Sequence, residues 1–227
     1  MTDLHVQREG QVPTAARVVR AGPERRDALA AVMAAAFDQD PISRWLFPDA
    51  GSRQALQRRL FAHVLDAVFP VGEVYTLEWG TGDAGTGVTM WLPVDPEEDA
   101  DGGGAGPGDA EPAVDDALRG VLGEHADRFA VLSALMGDAH PAHEPHLYLP
   151  FVGVAPGHQG HGVGTRLLGD RLAALDAAGT PSYLEASCPR NQRLYERLGF
   201  RPIGTPIALP DGPELVPMWR PAGAGQG

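Results

Sequence analysis

The sequence predicts a mixed α/β domain, and three observations predict it. Apolar residues recur at helical spacing in two early segments: Leu29, Val32, Met33, Ala36 and Phe37, then Leu56, Leu60, Phe61, Val64, Leu65 and Val68. Runs rich in β-branched and aromatic residues follow at 73–79, 86–92 and 146–154. Helical and strand-like segments then mix along the chain without an internal repeat, and 227 residues suit one core.

Taken in order, 16–21 reads as a short strand, and Gly22-Pro23 opens the first helix, with proline where its missing N–H costs nothing. Asp40-Pro41 ends that helix, and a short aromatic turn, Trp45-Leu46-Phe47, leads to a second helix over about 52–69. The Gly/Asp/Thr segment between the strands at 73–79 and 86–92 reads as a hairpin turn. Segment 95–112 is acidic and glycine-rich, too poor in apolar residues to offset its ordering entropy, so a flexible loop is expected. Helix resumes at about 113–136, and 146–154 has the character of a buried central strand. After a glycine-rich turn, a helix over about 163–178 carries Leu167, Leu168, Leu172 and Leu175 inward. A strand at 181–186, a helix at 191–198 capped by Gly199, and strands at about 200–208 and 214–220 close the chain. Residues 1–15 and 222–227 are tails, which leaves 16–221 as a single domain.

Composition narrows the function. A net charge of −12 argues against nucleic acid, whose phosphates need a basic stripe, and is compatible with a cationic substrate. No run approaches the roughly 20 apolar residues that span a bilayer, and the polar first eleven residues lack a secretory apolar core. A cytoplasmic protein with no membrane partner is expected. Its one cysteine, Cys188, cannot form an internal disulfide.

The informative segment is Val152-Gly-Val-Ala-Pro-Gly-His-Gln-Gly-His-Gly-Val-Gly-Thr165. A strand ends, glycines at 160, 162 and 164 keep side chains out of the way, and a helix starts, so backbone N–H groups converge on an anion. Thr165 adds a hydroxyl, and His158 and His161 flank the loop. A plain structural turn is one reading. A dinucleotide fold is another, since Glu185 lies about 20 residues on, but Thr165 stands where a third Gly or Ala is needed. A triphosphate loop fails for want of Gly-Lys-Ser/Thr.

The third reading is coenzyme A. Gln159-Gly-His-Gly-Val-Gly164 resembles the Gln/Arg-x-x-Gly-x-Gly/Ala loop of the GNAT superfamily of acetyltransferases. Leu184-Glu-Ala-Ser-Cys-Pro-Arg-Asn191 resembles the family's next strand and loop, and Tyr195-Glu-Arg-Leu-Gly-Phe200 its following helix. The combination is most similar to the puromycin N-acetyltransferase group. The resemblance covers 151–200 and implies a mostly antiparallel mixed sheet, splayed at its central strands and flanked by helices. It also implies acetyl-CoA as cosubstrate, with Val152, Gly153 and Val154 along the pantetheine, Gln159, Gly160, His161, Gly162, Val163, Gly164 and Thr165 at the pyrophosphate, and Asn191 on the pantetheine arm.

The implied reaction is direct acetyl transfer to the primary amine of a small molecule, with antibiotic resistance or self-protection as a role. A protein N-terminal or lysine acetyltransferase, or a silent acetyl-CoA-binding module, are the alternatives. An alkylamine titrates near ~10.4 and must lose a proton. Glu185, at the end of its strand, is the candidate general base, directly or through water. Tyr195 matches the family tyrosine that donates to the departing thiolate, and a backbone N–H near Val154 is placed to stabilise the developing oxyanion. The segment joining the first two helices often lines the acceptor side in this family, which nominates Asp38, Asp40, Trp45 and Phe47. Cys188 invites an acyl-enzyme reading, but direct transfer is what the resemblance implies. His140, His143 and His146 are interrupted by Pro141 and Pro145, so no metal is expected. The protein is expected to be a monomer or homodimer.

Overall fold

The computed structural model describes residues 12, 16–78, 85–96 and 116–224. Nearly all of the expected 1–15 tail, the hairpin turn at 79–84, positions 97–112 of the acidic loop and the last three residues lie outside them.

Strand β1 (Arg17–Arg20) leads through a 3₁₀ turn, Pro23–Arg25, into α1 (Arg26–Phe37). The expected aromatic turn is instead a helix, α2 (Pro41–Leu46). Its cause is local: Pro41 sits at the first helical position, and the Asp40 carboxylate accepts from the backbone N–H groups of Ile42 and Ser43. Helix α3 (Ala50–Val71) starts the same way, capped by Asp49. Strands β2 (Glu73–Glu78) and β3 (Gly87–Val94) follow.

The single helix expected at about 113–136 is two, α4 (Asp116–Leu122) and α5 (Ala126–Ala139). Gly123 breaks it with a φ of +56°, a conformation that carries no regular helix. Then come β4 (His146–Val154), α6 (Val163–Ala178), β5 (Ser182–Ala186) and α7 (Pro189–Arg197). The strand expected over about 200–208 is two fragments, β6 (Arg201–Pro202) and β7 (Ile207–Ala208), because Gly204 and Pro206 interrupt it. Strand β8 (Glu214–Arg220) closes the fold.

Among the described residues, eight strands form one sheet in the order β1-β2-β3-β4-β5-β8-β6, with β7 also paired to β8. Only the β4–β5 pair is parallel among these neighbours. Helices α1 and α3 pack on one face, burying Leu29, Met33, Phe61 and Leu65 against Val74, Val88 and Met90. Helix α6 covers the other face, with Leu168, Leu172 and Leu175 against Trp91, Leu149 and Leu184. The mostly antiparallel sheet between helices agrees with the predicted class. Among the described residues no helix is long and apolar enough to cross a membrane.

Candidate active site

Pairing between β4 and β5 is confined to Leu147↔Ser182 and Tyr148↔Tyr183. Beyond it the strands run on to Val154 and Ala186 without touching each other's ladder, so a wedge opens between their C-terminal ends. Two cavities among the described residues meet there, of about 500 Å³ and about 650 Å³. Phe37, Asp40, Val152, Asn191 and Tyr195 line both.

The smaller cavity is built on the glycine-rich turn. The Gln159 side-chain amide donates to the Val154 carbonyl at 3.0 Å, which pins the turn to the end of β4. Gly160 and Gly162 adopt φ of +80° and +87°, the left-handed region that a Cβ disfavours. Gly162 is thereby the N-cap of α6, and the first-turn amides of that helix have no partner within it. Gly160, Gly162, Val163, Gly164 and Thr165 line the cavity, with Arg190 and Arg197 of α7. Convergent amides, the positive end of a helix dipole and two guanidinium groups suit a diphosphate. Val152, Gly153 and Val154 form the strand edge beside it.

The larger cavity holds Glu185. Because Tyr148 pairs opposite Tyr183, two residues before Glu185 on the same face of β5, its hydroxyl reaches the carboxyl and donates to Oε2 at 2.9 Å. Burial pushes the Glu185 carboxyl up to about 7, with the tyrosine hydrogen bond only partly opposing it. A carboxyl that is half ionised at neutral pH is matched to taking a proton from an amine. Glu185 Oε1 has no hydrogen-bond partner among the described residues.

Asp40 closes the wedge from above. Its Oδ1 accepts from the α2 amides, and its Oδ2 accepts from Ser187 Oγ at 2.5 Å. Burial raises its pKa above the ordinary carboxylate value despite these bonds. Asn191 Nδ2 in turn donates to Ser187 Oγ at 3.4 Å. Tyr195 is 7% exposed, and burial, with Cys188 and Asp40 nearby, holds its hydroxyl protonated well above the ordinary tyrosine range. It can therefore donate at neutral pH. His140 also lines the larger cavity. A carbonyl only accepts, so His146 Nδ1–H donates to Glu144 O, and His140 Nε2–H donates to the bare His146 Nε2 at 3.0 Å. Burial and His146 push His140 down to about 3, so it is neutral and does not repel a cation.

Of the residues expected on the acceptor side, Asp40 and Phe47 line the larger cavity. Asp38 and Trp45 line neither, which corrects that expectation. The Asp38 carboxylate accepts from Gln39 Nε2 at 2.6 Å, and Trp45 Nε1 donates to the Pro210 carbonyl at 2.9 Å. Helix formation from Pro41 is the reason: it turns Trp45 away from the wedge and onto the 207–215 segment. His161 is exposed and lies outside the lining of the glycine cavity, its carbonyl accepting from the Val12 N–H. Cys188 lines the smaller cavity as the N-cap of α7.

Sequence reasoning missed Tyr148, Ser187, Arg190, Arg197, Gln57 and the α5 wall. The apolar spacing of Phe129, Leu132 and Met136 was a readable signal for a helical stripe, though not for what it faces. Tyr148 carried no local signal, because its role depends on the strand beside it.

Residues 123–202 match the family model described as the acetyltransferase (GNAT) domain. A solved structure from Corynebacterium glutamicum, described as histone acetyltransferase HPA2 and related acetyltransferase, is 30% identical, with a TM-score of 0.65. The match covers 92% of this chain and 97% of that one. Mosquito arylalkylamine N-acetyltransferase like 5b aligns over 90% of this chain and 98% of its own, at 14% identity and a TM-score of 0.59. PaiA N-acetyltransferase from Thermoplasma acidophilum, in complex with coenzyme A, aligns over 91% and 98%, at 10% identity and 0.54. These last two carry the fold alone. With a splayed β4–β5 pair, a glycine turn at the head of α6 and a relative of this identity along nearly its whole length, the chain belongs to the GNAT acetyltransferases.

Proposed function

We propose that the chain transfers acetyl from acetyl-CoA directly to the primary amine of a small molecule. GNAT acetyltransferases use acetyl-CoA, which supplies the acyl group as an activated thioester. The observation that carries the reading is the meeting of two cavities at one wedge, with the diphosphate cradle on one side and a raised carboxyl on the other. The residues fit the coenzyme: Gly160 to Thr165 would hold the diphosphate with Arg190 and Arg197, and Asn191 would bond the pantetheine arm.

Glu185 accepts the proton of the incoming amine, directly or through water. Tyr195, between the cavities and protonated, donates to the departing sulfur. Backbone N–H near Val154 stabilises charge on the carbonyl oxygen. Asp40, held by Ser187 and two α2 amides, offers the ammonium a second carboxylate on its way in. We place residues 16–221 as one catalytic domain in the cytoplasm, active as a monomer or homodimer. The motif resemblance supports a puromycin N-acetyltransferase-like subtype with a resistance or self-protection role.

Release of coenzyme A thiol across an amine panel, puromycin-like compounds included, tests the reading. Tyr195→Phe is expected to lower kcat about 10²-fold while acetyl-CoA affinity by calorimetry changes less than threefold. Unchanged kcat would remove Tyr195 from the reaction. Binding of acetyl-CoA without thiol release on any amine would instead make the chain a silent binding module.

A further inference from the structure

The larger cavity is polarised along its length. Its lining carboxylates are Asp40, Asp138 and Glu185. Glu185 is bonded by Tyr148, and His140, two residues beyond Asp138, packs edge-on against Tyr148 with ring centroids 4.8 Å apart. Asp138 and Glu185 therefore share one end of the cavity, and Asp40 sits at the junction with the coenzyme side. Helix α5 then runs back nine residues from Asp138 to Phe129, about 13 Å. At that end the wall is Phe47, Leu60 and Phe129, which belong to one apolar cluster. Among the described residues no carboxylate lines it.

Gln57, one helical turn from Leu60 and Phe61, is 1% exposed, and its Nε2–H donates to the Phe37 carbonyl at 3.1 Å, so its amide braces the wall.

The geometry points to one class of acceptor: a primary amine bearing a single cation, joined to an apolar body of about one ring system. This rests on the amine-acetyltransferase reading above and names its substrate class. The ammonium sits among the carboxylates at the wedge. The body fills the end walled by Phe47, Leu60 and Phe129. A polyamine would press its second cation against hydrocarbon, at a desolvation cost nothing there offsets. A peptide would leave backbone amides unpaired along the same wall.

The test measures thiol release at saturating acetyl-CoA with phenethylamine, spermidine, agmatine and a short peptide with a free N-terminus. Phenethylamine is expected to exceed the polyamines and the peptide at least tenfold in kcat/KM. Phe129→Ala is expected to raise the KM for phenethylamine about tenfold.

A polyamine or peptide as best substrate overturns the inference and leaves the acetyltransferase reading standing. So does an unchanged KM in Phe129→Ala. Acetyl-CoA binding with no thiol release on any compound overturns the proposed function, and this inference with it.

Discussion

Glu185→Gln is expected to lower kcat by about 10²–10³-fold and to abolish the acid limb of its pH profile. In the parent protein kcat should fall as pH drops below about 7, the value to which burial pushes this carboxyl. The amide has nothing to protonate, so its residual rate should be flat through that region. Tyr148→Phe, which removes the hydrogen bond to Oε2, should move the limb to higher pH, because that bond favours the ionised form. A parent profile that is flat from pH 5 to 8 would take the base role away from Glu185.

The same carboxyl predicts an effect on stability of opposite sense. A carboxyl whose pKa is higher folded than unfolded binds its proton more tightly in the native state. Stability is therefore lost as pH rises from the unfolded value near 4.5 through about 7, and stays lost above it. At about 1.4 kcal/mol per factor of ten in acidity, the penalty at pH 8 is about 3–4 kcal/mol. Glu185→Gln should thus be more stable than the parent at pH 8 and nearly equal at pH 4. Urea midpoints at the two pH values read this directly. A variant that is slow and stabilised above neutrality differs from one that is slow because it is damaged.

Asp176→Ala is expected to destabilise the fold by about 3–5 kcal/mol. Arg220, at the end of β8, is 2% exposed and donates to both Asp176 oxygens, at 2.6 and 2.7 Å. Its Nε donates to the Leu198 carbonyl at 2.8 Å, and the Gly223 N–H donates to Asp176 at 2.9 Å. This one pair ties the end of α6 to the end of α7 and to the last strand. Removing the carboxylate leaves a guanidinium buried without a counter-charge, which is where the cost arises. Adding Arg220→Met in the same chain should recover much of it, since the pair itself is worth less than its severance. A single variant within about 1 kcal/mol of the parent would show that water reaches Arg220.

The glycine turn and the order of helices and strands were legible in the linear sequence, as were Glu185 and Tyr195 as the candidates the proposal uses. Each rests on chemistry within a few residues: glycines that accept positive φ without strain, apolar spacing, a proline after a capping aspartate. Helix α2 was missed although Asp40-Pro41 announced its start, because the aromatic residues beyond were read as the signal. The split at Gly123 was legible as well, but a long apolar stripe outweighed one glycine. Trp45 and Asp38 failed as site residues for a different reason: which way a short helix turns depends on what packs against it.

What the sequence determined by itself was therefore the family-like frame and the glycine-rich turn at the head of α6. The tertiary structure alone decided that Tyr148 bonds Glu185, that Ser187 bonds Asp40, and that α5 supplies a wall ending in hydrocarbon. Those contacts join positions 37 and 147 residues apart, and no local propensity encodes them. They follow from two strands that pair for two residues and then diverge, burying a carboxyl in the opening they leave.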